Sequence, residues 1–203
     1  MKQVQFRQMK EGTRQEYEML NRLETAFALG TADRLLGLLD QLDESLSGYR
    51  VSRLEHSLQA AARAWHDSAD ADWTVGALLH DVGDLHAPYS HGELAAAVLR
   101  PFVREQVTWC VRTHADFQLI YYGQHLPGAD QHQRDRHSES PYFEDAIEFC
   151  ERWDQASFDP DYQTPPLDFF EPMLRAVLAR APHDPNHVQP GLRVALVQHP
   201  DIR

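Results

Sequence analysis

Cysteine is nearly absent: Cys110 and Cys150 are the only two, and they do not form a Cys-x-x-Cys pair. That excludes a disulfide framework and a thiolate zinc site, and it fits a reducing, cytoplasmic setting. Basic charge is scarce as well. Lys and Arg total 19 against 31 Asp and Glu, a formal net charge of −12, so no broad basic surface exists to neutralise a phosphate backbone and nucleic acid is not an expected partner. No stretch approaches the roughly 18 consecutive apolar residues of a membrane span, and the N-terminal segment has no apolar core of signal-peptide type. No membrane association is expected. Strand-like alternation is missing too, apart from a short candidate strand at Arg193 to Val197.

What is present is enough apolar material, 42% of 203 residues, for one globular domain spanning residues 1–203. The expected class is all-α. Thr13-Arg14-Gln15-Glu16 reads as a capping box before a helix running to Gly30. A second helix carries Leu35 to Leu42 and ends near Gly48, and a third carries Leu54, Leu58, Ala61 and Trp65 at helical spacing. Trp73 to His80 is apolar almost all round, the pattern of a helix buried inside a bundle. Ser90-His91-Gly92-Glu93 reads as another capping box, Pro101 ends that helix and starts the next, and Ser140-Pro141 caps a helix bearing Phe143, Ile147, Cys150 and Asp154 on one stripe. Asp168 is the expected cap of a last helix. Between them, Gln118 to Ser140 carries little periodicity and is read as a long loop able to close over a site.

Twelve histidines are the other feature of the composition, and imidazole is the commonest transition-metal ligand among side chains. His56, His80 and His114 fall at otherwise apolar positions on three different helices, and Asp154 falls on the apolar stripe of a fourth, three turns beyond Phe143. One such residue is ordinarily a hydrogen-bonded core side chain. A buried carboxylate without a partner costs several kcal/mol, and four such anomalies together point to a bound cation. The adjacent His80-Asp81 pair projects about 100° apart around a helix, so the imidazole can serve one metal while the carboxylate reaches a second.

Carried by His56 in LEHSLQAAARAW, His80 and Asp81 in ALLHDVGD and Asp154 in ERWDQASF, the sequence resembles the HD-domain metalloprotein superfamily over about residues 49–158. Members that hold two metals have two further histidines between the doublet and the last Asp; here the resemblance offers His91 in YSHGELAAAVL and His114 in WCVRTHADF. It implies one metal on His56, His80, Asp81 and Asp154, with Asp81 bridging as the central catalytic carboxylate to a second metal on His91 and His114. His86 competes with His91 for its position. His66, His125, His132, His137, His183, His187 and His199 read as surface or tail residues.

Within the superfamily, the sequence is similar to the mixed-valent di-iron oxygenases, the phosphonate oxygenase and myo-inositol oxygenase branch, and to small HD proteins associated with phosphonate degradation. That implies two irons as Fe(II)/Fe(III), O₂ as co-substrate, and oxidative cleavage of a small hydroxylated molecule such as a 1-hydroxy phosphonate. The rival from the same superfamily is a phosphohydrolase acting on a nucleotide or small phosphoester with manganese or cobalt; a non-catalytic sensor is a third reading. Two positions depart from the oxygenase pattern. Asp84 stands where many relatives carry Lys or His, and Tyr49 precedes Ser52 where a gating Tyr-x-x-Glu pair would need Glu. Candidate substrate contacts are Tyr49, Asp84, His86, Arg112 and Ser138, with Arg50, Arg53, Arg134, Arg136 and Ser140 as further anion donors and Tyr121 and Tyr122 as pocket residues.

Overall fold

The computed structural model describes residues 3–197, so His199 lies outside the described residues. The helices are α1 (Arg14–Leu29), α2 (Thr31–Gln41), α3 (Arg53–His66), α4 (Ala71–Leu79), α5 (His91–Leu99), α6 (Glu105–Tyr122), α7 (Phe143–Phe149) and α8 (Leu167–Leu178). Among the described residues there is no strand, and no helix is long and apolar enough to cross a membrane. The protein is all-α.

Helix α4 is the axis of the fold. Every residue from Asp72 to Leu79 is buried, as a helix without a polar face requires. Against it lies α3, whose buried face contains Ala60, Ala61, Ala62 and Ala64. Small side chains there let the two helices approach closely. On the other side Gly76 faces α6, where a Cβ would stand 2.6 Å from Val107 Cγ1. Trp73, Phe149 and Trp153 complete the centre of the core, the two indoles meeting edge-on at 5.9 Å between centroids. Asp72 is buried but satisfied: Arg104 reaches its Oδ2 at 3.0 Å and Arg180 its Oδ1 at 2.6 Å.

Caps explain some helix starts and not others. Thr13 forms the expected capping box with Glu16, and Ser52 forms a second with Glu55 at the start of α3. Ser90, by contrast, makes no side-chain cap; its φ of −151° and ψ of 32° do not present the hydroxyl to the helix amides. Pro101 lies in the turn after α5, and α6 starts only at Glu105, with Arg104 at its cap. Ser140 Oγ accepts from the Tyr142 amide in a turn, so α7 begins at Phe143 without a side-chain cap. Asp168 sits in the first turn of α8, and Pro166 holds the cap position. Helix α2 ends at Gln41 in a short 3₁₀ turn, Leu42–Glu44, well before Gly48.

Two other expectations are revised. The first residues of the expected loop at 118–140 extend α6 to Tyr122, and 3₁₀ turns follow at Gly123–His125 and Gln133–His137. Gln133, Arg136 and His137 all donate to the Asp116 carboxylate, which fastens this segment to α6. Arg193 to Val197 forms no strand. Val194 instead exchanges hydrogen bonds with the Gln106 side chain and accepts one from the Trp73 indole, so its backbone groups are satisfied by side chains and no ladder is needed.

The α5–α6 contact depends on Gly92, where a Cβ would lie 2.8 Å from the Arg112 carbonyl oxygen and 2.9 Å from that of Val111. Backbone cannot yield as a side-chain tip can. Gly92→Ala is expected to destabilise the protein by about 1–3 kcal/mol, read as a lower urea midpoint with an unchanged slope.

Candidate metal centre

Five segments deliver the candidate ligands to one point. His56 sits one turn into α3, whose start is held by the Ser52 and Glu55 capping box. His80 and Asp81 follow directly on the buried α4. His91 is the first residue of α5, and His114 lies on the buried face of α6. Asp154 comes from a π-helical turn, Cys150–Asp154, that continues α7 and closes with Gln155 N–H donating to the Cys150 carbonyl at 2.9 Å. The wider turn changes the phase of every residue after Phe149, so the regular-helix extrapolation from Phe143 misjudges how Asp154 comes to face His56 and His80.

Hydrogen bonding on the far side of each ring sets the chemistry on the near side. Nδ1 of His56 lies 2.9 Å from the Ser157 carbonyl oxygen, that of His80 2.7 Å from Ala77 O, and that of His114 2.6 Å from Val111 O. A carbonyl only accepts, so each Nδ1 carries the proton and each Nε2 presents a lone pair in the neutral ring. His91 Nδ1 faces Pro88 O at 3.3 Å and Asp84 Oδ1 at 3.4 Å. The Nε2 atoms then meet in pairs, His56 with His80 at 3.0 Å and His91 with His114 at 3.2 Å.

The two carboxylates complete the cluster. Asp154 Oδ1 lies 3.3 Å from His56 Nε2 and 3.5 Å from His80 Nε2. Asp81 turns one oxygen to each pair: Oδ2 is 3.4 Å from His56 Nε2 and 3.6 Å from His80 Nε2, while Oδ1 is 3.4 Å from His91 Nε2 and 3.2 Å from His114 Nε2. Asp81 Oδ1 is buried and accepts no hydrogen bond. Opposed lone pairs and buried carboxylate oxygens at these distances repel unless a cation lies among them. The donor set therefore fits metal, with three overlapping groups able to hold an ion: His56, His80 and Asp81; His80, His114 and Asp154; Asp81, His91 and His114.

Without metal, protons fill that need. Burial lowers the His56 pKa, but hydrogen bonds and charge from Asp154 and Asp81 outweigh it and push it up to about 10. Burial likewise opposes protonation of His114, and Asp81 and Asp154 raise its pKa to about 9. Burial raises the Asp81 and Asp154 carboxyls, yet the surrounding imidazoles, His80 foremost, hold both well below the usual carboxylate range.

A cavity of about 630 Å³ opens over the cluster, lined in part by Tyr49, Arg53, Gln118, Tyr121, Tyr122 and Phe158. Of the expected substrate contacts, Tyr49 is at the wall, stacked on Phe158 at 5.1 Å. Asp84 stands behind it, its Oδ2 2.9 Å from Arg53 Nε. His86 is exposed on the turn after α4, and Ser138 is exposed on the segment tied to Asp116; neither lines the cavity. Arg112 does not line the cavity but borders an adjoining hollow with Tyr89 and Arg136, on the far side of His91, because it precedes His114 by two residues and so points about 200° away around α6. Gln118, Gln155 and Phe158 were not anticipated. Phe158 stacks on His56 at 4.3 Å, and its neighbour Ser157 supplies the carbonyl that orients the same ring; both follow the helix, where periodicity gives no signal.

No family model matches the chain. Over 90 residues it is 34% identical to a 1-hydroxy-2-(trimethylamino)ethylphosphonate dioxygenase (glycine-betaine-forming) of Leisingera caerulea, an alignment covering 38% of this chain and 46% of that enzyme. The chain thus spans less than half the length of the relative it matches. The similarity is partial and points to an enzyme.

A cluster able to hold a cation should be stabilised by one. Adding Mn(II) or Fe(II) to chelator-treated protein at a hundredfold excess over Kd is expected to raise stability by about 3 kcal/mol, measured by chemical denaturation under anaerobic conditions. An unchanged midpoint with both metals would refute metal binding at these residues.

Proposed function

We propose that the chain is an HD-domain metalloenzyme: one domain over residues 1–203, with a metal-binding core over about 49–158, that uses two irons and O₂ to cleave a small hydroxylated substrate oxidatively. A 1-hydroxy phosphonate is the first substrate to test. The observation that carries this reading is Asp81, whose two carboxylate oxygens each face a different pair of imidazole Nε2 atoms. In this reading His56, His80, Asp81 and Asp154 would hold one metal, and Asp81, His91 and His114 would hold the other. The partial similarity to a phosphonate dioxygenase supports the choice of chemistry.

When bound, a mixed-valent Fe(II)/Fe(III) pair supplies a redox couple and open positions for a substrate hydroxyl and O₂. The chain's own residues do the rest. Carbonyls of Ser157, Ala77 and Val111 fix the ring orientations through Nδ1, which keeps the donor atoms in place as substrate enters. Phe158 and Tyr49 shield the His56 side from water by stacking. Tyr121, Tyr122 and Leu126 line the cavity together with Gln118, and give the substrate's carbon skeleton an apolar and aromatic surface.

Manganese or cobalt in the same ligands would suit the rival phosphohydrolase, and the two readings separate in one set of measurements. Protein from iron-supplemented cells, partly reduced with ascorbate, is expected to hold about two irons per chain and to give a spin-coupled Fe(II)/Fe(III) resonance below g ~ 2. One divalent metal per chain, no such signal and anaerobic phosphate release would overturn the oxygenase. Asp81→Ala is expected to lose both metals, whereas His114→Ala should lose mainly one; two tightly held metals in Asp81→Ala would refute the bridging role.

A further inference from the structure

Beyond the candidate ligands, the cavity wall is nearly without formal charge. Among the described residues, Arg53 is the one permanently cationic side chain that lines it. Lysine cannot substitute, since the only lysines in the sequence are Lys2 and Lys10. Arg53 belongs to the first turn of α3, three residues before His56, and its side chain is 16% exposed, so it is a cavity group and not a solvated surface one.

Its position is held from three sides. Nε lies 2.9 Å from Asp84 Oδ2, Nη1 lies 3.3 Å from Asp81 Oδ2, and the guanidinium carbon sits 5.0 Å from the Tyr49 ring centroid. A guanidinium has five N–H donors in a fixed fork, and these contacts leave donors free. Asp81 Oδ2 is also the oxygen that faces His56 and His80, so a single carboxylate oxygen separates the guanidinium from the metal donors. A metal held by Asp81 would draw on the carboxylate that contacts Arg53, and Asp84 would then be the guanidinium's remaining ion-pair partner. Arg53 lines the cavity immediately beside the cluster.

We propose that Arg53, positioned by Asp84, is the specificity-determining residue that binds the substrate's anionic group, and that it selects a small anion whose acid group lies on the same carbon as the metal-binding hydroxyl or on the adjacent one. This rests on the proposed function, which places that hydroxyl at the metals. A single guanidinium already shared with one carboxylate matches one phosphonate or carboxylate. It does not match a nucleotide polyphosphate, which needs several permanent cations along its chain.

The test is anaerobic calorimetric titration of hydroxymethylphosphonate and of glycolate into the metal-loaded wild type, R53Q, R53K and D84N, with metal content measured on each sample. R53Q is expected to keep its metals and to weaken binding of whichever anion the wild type prefers by about 10- to 100-fold, the loss of a charge-assisted bidentate contact. R53K, which keeps the charge but not the fork, should fall between, and D84N should weaken anion binding in the sample fraction that retains its metal, since Asp84 also faces His91 Nδ1. The wild type's preference between the two probes tells phosphonate from carboxylate. Wild-type affinity in R53Q, no binding of either anion by the wild type, or loss of anion binding only in step with loss of metal would each overturn the assignment. Arg53-dependent binding without O₂ consumption would leave it standing and overturn the oxygenase reading instead.

Discussion

Two buried carboxylates and four imidazoles turned toward one another make a demand for positive charge on which the rest of the structure depends. Asp81 and Asp154 are 3% and 2% exposed, and every neighbouring imidazole directs Nε2 at them because a backbone carbonyl or carboxylate lies against its Nδ1. A cation or bound protons can fill it. The pull of the carboxylates on protons, strong enough to overcome burial at His56 and His114, expresses the same demand in the metal-free chain. Much of the architecture serves to hold that arrangement against its own repulsion. Metal bound at these residues would be linked to folding, since the donor geometry exists only when five separate segments are packed.

The packing that imposes this geometry is unusually close. Alanines on α3 and Gly76 on α4 bring the helices together around the buried Trp73 to Leu79 run. Gly92 lets α5 rest on the α6 backbone. Gly83 does the same for the turn after the His80-Asp81 pair, where a Cβ would meet the His91 backbone at 2.7 Å. That contact matters because it sets the separation between the Asp81 carboxylate and the His91 ring. The glycines are thus placed where two ligand-bearing segments touch, and the spacing of the cluster follows from backbone contact more than from side-chain packing.

Much of this was legible in the sequence, and the limits have physical causes. His56, His80 and His114 stood out because a titratable ring at an apolar helical position breaks a strong pattern. The all-helical class followed from the same periodicity. Asp154 was found by that logic, yet its aim comes from a π turn that nothing in Cys150 to Asp154 announces. Ser90 has the spacing of a capping box and lacks the backbone angles for one, so spacing alone misled. Arg112 could have been set aside by helical phase, being two residues from His114. Phe158 and Ser157 lie in irregular chain beyond α7, where no period exists to read, although both contact His56 directly.

The distribution of charge across the cavity bears on the chemistry more than the ligand set does. Histidine and carboxylate ligands accept iron, manganese or cobalt alike, and both oxygenases and hydrolases use them. Outside the cluster, however, the wall offers aromatic rings, two glutamines and one arginine. Metal ions neutralise only the group they touch, so a phosphate chain extending from them would meet tyrosine and phenylalanine where it needs cations. The proposed substrate, a compact molecule with one acid group, a hydroxyl and a short carbon skeleton, would meet a partner for each part: guanidinium, metal and ring. Asp84 then has a reason to stand where a base would otherwise assist anion binding. It contacts Arg53 and faces His91 Nδ1, and so would couple the proposed anion contact to one candidate ligand through a single carboxylate.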